Sequence, residues 1–272
     1  MKLEGSLQKK NNRKVAKPEK PLISVITVVF NGAKTIEDTI ESVKKQSYDN
    51  VEHIIIDGGS IDGTVEILRK HNKFIGKWIS EKDEGIYDAM NKGIKLSSGD
   101  IIGILNSDDF FASENIIDKI ADVFIKTSVD AVYGDLEYVD SKDTTKVIRY
   151  WKSSKFKVGS FKRGWHPPHP SLFIKKDIYN KYGNFDTNMK VSADFELMLR
   201  FFENHRISVH YLHEVIVKMR IGGESNRSIE NRLTGTKSIM KAFQKNNISI
   251  NKVEFLLRRW VPKIRQYWQR KS

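Results

Sequence analysis

The chain has 272 residues, no cysteine and a formal net charge of +13, enough for one large domain or one domain with a tail. Disulfide and thiolate chemistry are excluded, and no run approaches the ~18 consecutive apolar residues of a membrane-spanning helix. The polar leader lacks the apolar segment of a signal peptide, so the sequence reads as cytoplasmic.

The positive charge is concentrated at the ends. Residues 1–20 carry Lys2, Lys9, Lys10, Arg13, Lys14, Lys17 and Lys20 against Glu4 and Glu19, and residues 258–272 carry six basic residues and no acidic one. The leader reads as a disordered basic tail, and both ends suit peripheral contact with an anionic membrane surface.

In chain order, residues 22–30, LISVITVVF, form the near-continuous β-branched run of a strand buried on both faces. Asn31-Gly32 ends it. Ile36, Ile40 and Val43 predict a helix over 34–46, and residues 51–56 a second buried strand. Asp57-Gly58-Gly59-Ser60 breaks that strand before a helix over 62–71. A strand over 77–80, a helix over 86–96, a strand over 101–105 and a helix over 113–126 complete four strand–helix alternations. This pattern predicts an α/β fold with a mainly parallel sheet and helices on both faces, and right-handed crossovers bring the strand-to-helix loops to one edge. Asn31, Asp57, Asp83, Asp108 and Asp109 fall in or beside those loops, so one crevice can collect them.

Beyond Asp130 the elements shorten. Strands are expected over 131–138, 145–151 and 171–174, with an aromatic and basic stretch up to Pro170 and a helix over 192–203. This half reads as an extension of the same sheet that covers the crevice and offers an acceptor wall. The expected organisation is a domain over 21–228, split into a nucleotide-binding half, 21–126, and an acceptor half, 127–228. Residues 229–272 would add a basic, amphipathic helical extension. There, Val253, Leu256, Leu257, Trp260, Val261, Ile264, Tyr267 and Trp268 recur at helical spacing between basic residues, with Pro262 as a kink. Such a stripe either lies on an anionic membrane or packs on its own domain.

The most informative residues are Asn106-Ser107-Asp108-Asp109, because they place two carboxylates where a buried strand surfaces. Adjacent aspartates repel, and a hard divalent cation bridging protein to a diphosphate is one reason to tolerate them. A helix cap is the other. Asp194, in Ser192-Ala193-Asp194-Phe195-Glu196, is expected in the first turn of a helix capped by Ser192. The helix dipole holds an acid there as the anion, which suits a base and equally suits plain helix stability.

An ordered set of motifs then carries a resemblance: VITVVFN, IIIDGGSIDGT, DEGIYDAMNKGI, LNSDD, HPSLF, GNFD and SADFELMLR. Over roughly residues 21–225 the chain resembles inverting glycosyltransferases of family 2, with the nucleotide-sugar-binding GT-A fold, of the kind found in bacterial surface polysaccharide synthesis. The resemblance implies a hexosyl- or N-acetylhexosaminyltransferase using a nucleotide-sugar donor, most simply a UDP-sugar. It assigns Thr27, Val29, Asn31 and Asp57 to the nucleoside, with Asp83 and Asn91 beside the donor. It makes Asp109 the ligand of Mn²⁺ or Mg²⁺, and Asp108 a contact of the ribose or the metal's water. Asp194 becomes the catalytic base, and His169 lines the diphosphate or acceptor pocket. Arg220, in RIGGES, would pair with phosphate, although Asp57 and RIGGES also read as ordinary turns.

Two departures are visible. Relatives often carry Glu-Asp where this chain has Ala193-Asp194, so a helper carboxylate is absent or supplied by Glu196. Ala89-Met90-Asn91 lacks an arginine common in Ala-Arg-Asn, with Lys92, Tyr87 or Asp88 as candidate substitutes. His166 and His169 lack the helical spacing of a zinc hydrolase. The acceptor is expected to be a glycan or lipid-linked sugar. Competing readings are a metal-dependent nucleotidyltransferase on a similar sheet, and a basic nucleic-acid-binding protein. The latter lacks any helix-turn-helix or RNA-stacking motif, so no nucleic-acid partner is expected.

Overall fold

The computed structural model describes residues 2–6, 17, 19–221, 229–251, 254 and 255. Ten strands form one sheet, β1 (Leu3–Ser6), β2 (Ile23–Val29), β3 (Val51–Asp57), β4 (Lys77–Ser80), β5 (Ile101–Ile104), β6 (Asp109–Phe111), β7 (Ala131–Val139), β8 (Val147–Trp151), β9 (Leu172–Lys175) and β10 (Val209–Arg220). Their order is β1-β4-β3-β2-β5-β9-β7-β10-β6, with β8 paired to β7. The block β4-β3-β2-β5 is parallel, as the alternation predicts. Strand β9 enters antiparallel between β5 and β7, and β10 runs parallel to β7. The second half of the chain therefore continues the sheet of the first.

Strand β2 is buried at all seven positions because both faces are covered. Ile26 and Val28 face a core shared with α3 (Ile86–Leu96), α5 (Lys176–Tyr182), α6 (Ala193–Leu199) and α7 (Ile229–Lys245). Val25 and Val29 face the other side, against α1 (Ile36–Lys44), α2 (Thr64–Lys70) and α4 (Ile116–Thr127). Helix α6 continues into a π-helical turn over Arg200–Asn204.

One expectation changes. The leader is not wholly a disordered tail, since Leu3–Ser6 pairs antiparallel with Ser80 to Lys77 as the outermost strand. Backbone pairing along β4 needs no hydrophobic run, so nothing in the composition of the leader announced it. The described part of the extension over 229–272 packs on the domain. Ile239, Ala242, Phe243 and Phe255 are buried, and the Phe243 and Phe255 rings meet at 5.2 Å. Every residue named for the amphipathic stripe, from Val253 to Trp268, lies outside the described residues. No helix among the described residues is long and apolar enough to cross a membrane.

Candidate active site

The carboxyl ends of the parallel strands lie along one edge, and the first two loops there are stitched together. The backbone amide of Asn31 donates to Ser60 Oγ at 2.7 Å, and Asn31 Oδ1 accepts from the Ile61 amide at 3.0 Å. The Gly32 and Ala33 amides donate to Thr64 Oγ1 and Asp62 Oδ2, each at 3.0 Å. Asn31 takes the left-handed conformation, φ 52°, that such a turn requires and that asparagine tolerates. Gly32 sits against the Asp-Asp loop, where a Cβ would fall 3.4 Å from the Ser107 hydroxyl. Gly58 packs so closely on Asp83 that a Cβ would fall 2.6 Å from its carboxylate. Asn31, Gly58, Asp83 and Ser107 thus border one crevice.

Several residues assigned to the nucleoside are turned away from it. Thr27 is fully buried, its hydroxyl 2.9 Å from Nε2 of His53. Burial pushes that imidazole down to about 3, so it stays neutral. Val29 is a core residue, and its carbonyl accepts from the Gly58 amide at 2.9 Å. Asp57 is fully buried and holds its own turn. It accepts from the Gly59 and Ser60 amides at 3.2 and 3.0 Å, from Ser80 Oγ at 2.6 Å, and from the Ser60 hydroxyl. A carboxylate so fully satisfied acts as the turn-former of the alternative reading. Asn91 is similarly committed, clasping the backbone of Phe185 through bonds of 2.9 and 3.0 Å.

The acidic pair divides its labour. Asp108 is partly exposed, and burial raises its carboxyl above the ordinary range. Asp109 starts β6, pairs with Met219 of β10 and is fully buried. Burial, together with the Asp108 charge, raises its carboxyl well above the ordinary range. Asn106 Nδ2 donates to Asp109 Oδ2 at 3.2 Å, whereas the buried Oδ1 has no partner among the described residues. The expected order, Asp109 foremost and Asp108 beside it, is reversed in exposure. Arg220 stands behind the pair: Nη1 donates to the Asp108 carbonyl at 2.8 Å, and Nη2 pairs with Asp38 of α1. Its guanidinium fixes this loop, where the sequence suggested a phosphate contact.

No cluster of three or more metal-ligating side chains occurs among the described residues. Two adjacent carboxylates, one carrying an orphaned buried oxygen, nevertheless suit a cation whose remaining ligands come from a diphosphate and water.

Asp194 sits in the first turn of α6. Its Oδ1 accepts from Tyr87 at 3.1 Å, and its Oδ2 lies 3.1 Å from His169 Nδ1. Burial and the Asp194 charge raise the Tyr87 phenol, keeping it a proton donor. Ser192 takes the N-cap position at φ 64° but makes no capping hydrogen bond through its side chain. A strained backbone therefore introduces this helix where a cap was expected. Glu196 is no helper to Asp194: it is fully buried and paired at 3.1 Å with Arg200, which opens the π-helical turn after α6. Lys92 lies 3.2 Å from Glu81 and 3.1 Å from Asp88. His166 sits edge-on to Trp151 and Phe195.

Two residues of the crevice were not singled out by the sequence. Phe30 follows β2 and is 66% exposed beside Gly58, presenting an open aromatic face. Asp38 is the anchor of Arg220. An aromatic residue at the end of a buried run was the available signal for Phe30, but it reads as one more core position.

A mixed sheet built on a central parallel block, helices on both faces and a crevice across the strand ends define a GT-A transferase fold. The chain belongs to glycosyl transferase family 2, whose sequence profile matches residues 24–183. It is a glycosyltransferase. It is 33% identical over 183 residues to an uncharacterised glycosyltransferase of Mycobacterium tuberculosis, covering 66% of this chain and 68% of that one. It is 27% identical over 259 residues to a PGL/p-HBAD biosynthesis glycosyltransferase of Mycobacterium bovis, covering 90% and 92%. Among solved structures it resembles S. aureus TarS 1-349 in complex with UDP-GlcNAc, with a TM-score of 0.67, 17% identity and coverage of 88% and 73%. It also resembles a mannosyltransferase from Pyrobaculum calidifontis in complex with GDP-Man and Mn²⁺, with a TM-score of 0.60, 20% identity and coverage of 88% and 68%.

Proposed function

We propose that the protein is an inverting, metal-dependent glycosyltransferase that moves a hexosyl or N-acetylhexosaminyl group from a nucleoside-diphosphate sugar to a hydroxyl of a glycan or lipid-linked acceptor. The observation that carries this reading is the setting of Asp194, whose two carboxylate oxygens are met by Tyr87 and His169.

In this reading the nucleobase stacks on Phe30, the open aromatic face of the crevice. Asn31 and Asp83 border the nucleoside, and the Asp108 loop, fixed by Arg220, meets the diphosphate. Mn²⁺ or Mg²⁺, held by Asp108 with Asp109 behind it, would supply positive charge against the departing diphosphate. Asp194 takes the proton of the acceptor hydroxyl. That oxygen attacks the anomeric carbon, and the bonding pair of the old glycosidic bond leaves with the nucleoside diphosphate. Attack opposite the leaving group inverts the anomeric configuration. His169 and Tyr87 hold the carboxylate in position as it gains the proton.

The test is incubation with UDP- and GDP-sugars, Mn²⁺ and glycan or lipid-linked acceptors, with separate assays for released nucleoside diphosphate and pyrophosphate. Nucleoside diphosphate release with an inverted anomeric proton coupling in the product supports the reading. Pyrophosphate release identifies a nucleotidyltransferase, and a retained configuration removes the role of Asp194 as base.

A further inference from the structure

Between Asp143 and Asp177 the chain contains no acidic residue. The middle of this interval, 152–165, is a built loop that leads from β8 back to the active site. Its aromatic residues point inward, with Phe156, Phe161 and Trp165 packed on one another and the Trp165 ring against Tyr133. Its backbone is pinned as well. The amides of Gly159 and Phe161 donate to Glu203 at 2.7 and 3.1 Å, the Phe156 amide donates to the Tyr133 hydroxyl at 2.8 Å, and that hydroxyl donates to the Ser154 carbonyl at 2.8 Å.

What this scaffold turns outward is charge. Lys152, Lys155, Lys157, Lys162 and Arg163 are all exposed. The flanking ion pairs, Lys146–Asp143 and Lys175–Asp130, stop short of them, and none of the five pairs with a carboxylate among the described residues. At the turn among them, beside Gly159 at φ 83°, Val158 is 58% exposed. A fixed loop that gathers five like charges around an exposed apolar residue repels itself in solution and is relieved by an anionic surface.

We infer that the loop over 152–163 docks the enzyme on an anionic lipid bilayer, its basic side chains on the headgroups and Val158 at the interface. An exposed apolar tip among lysines matches a bilayer, which offers both an anionic plane and an apolar layer beneath it. It matches nucleic acid less well, since the loop's aromatic rings, which would stack on bases, are packed inward. The position also has a consequence for the reaction. Four residues after Trp165 the chain reaches His169, 3.1 Å from Asp194, so docking brings the acceptor side of the crevice to the membrane. That consequence rests on the proposed transfer to a membrane-borne acceptor, whereas the docking itself does not.

The test is co-sedimentation of the full chain with phosphatidylglycerol-containing and pure phosphatidylcholine vesicles, without substrate. Three variants are compared: K152Q/K155Q/K157Q/K162Q/R163Q, V158D, and a control, K45Q/K73Q/K95Q/K126Q/K181Q, which removes the same charge elsewhere. Binding to anionic vesicles should fall about tenfold or more in the loop variant. It should fall in V158D and change little in the control, with melting temperatures near wild type. Equal losses in loop variant and control, no selectivity for anionic vesicles, or tighter binding to single-stranded DNA than to vesicles would each overturn the inference. Turnover of a water-soluble acceptor is read in parallel. Unchanged turnover with lost vesicle binding supports docking, and loss of turnover in every protein would refute the proposed transfer while leaving the docking result intact.

Discussion

His169 Nδ1 lies 3.1 Å from one carboxylate oxygen of Asp194, and the Tyr87 hydroxyl lies 3.1 Å from the other. Both contacts hold the carboxylate in one rotamer, and neither comes from its own helix. Tyr87→Phe removes one of them without changing shape. The expected result is a fall in kcat of about tenfold, the worth of one hydrogen bond to a charged group, with the donor KM and the melting temperature unchanged. An equal loss of thermal stability would make Tyr87 a structural residue only.

Asp109 predicts a pH dependence of stability. Its carboxyl is raised well above 3.8 in the folded protein, first by burial and then by Asp108. A group raised on folding binds more protons in the native state, so its contribution falls as pH rises from the ordinary aspartate range to the raised folded value. Asp109→Asn removes the buried charge and keeps the shape. In chelating buffer the wild type should lose stability relative to D109N between moderately acidic and alkaline pH, followed by thermal unfolding. Added Mn²⁺ should restore wild type more than D109N.

Arg220 links the Asp108 carbonyl to Asp38 across three elements. Lysine keeps the charge but not the planar fork that serves two acceptors at once. Arg220→Lys should therefore lower kcat/KM about 10- to 100-fold through the donor, the scale of one or two charge-assisted bonds. Donor titration in the presence and absence of Mn²⁺ reads this directly. An unchanged donor affinity would dissociate Arg220 from the diphosphate end of the crevice.

Phe30 is 66% exposed, so its removal should not unfold the protein. Base–aromatic stacking is worth about 1–3 kcal/mol. Phe30→Ala should weaken nucleoside diphosphate binding by a corresponding five- to 150-fold in calorimetric titration, at an unchanged melting temperature.

The parallel half of the fold was legible because its strands are buried on both faces. Runs such as 22–30 have no other simple explanation, and α3 occupies the expected 86–96. Strand β6 was not legible, because Asp109–Phe111 is set by pairing with a strand more than a hundred residues later. Leu3–Ser6 was hidden for the same reason.

In the site, sequence position located the loops but not the partners of each side chain. Asp57 falls at the strand end as expected, yet Ser60 and Ser80 take its oxygens. Thr27 and Val29 lie on the face of β2 that α1 and α2 cover, which motif position alone does not reveal. Asp194 was placed correctly in the first turn of a helix, where helix dipole and motif agreed. Its supports, Tyr87 and His169, come from elements 107 and 25 residues earlier in the chain, and only folding shows that they converge.

The most direct measurement is the single-turnover rate of sugar transfer by Asp194→Asn, with donor affinity measured on the same preparation. General-base loss should slow transfer by about 10²- to 10⁴-fold while donor binding and melting temperature stay at wild-type values. Transfer by D194N at a near-normal rate would contradict the account.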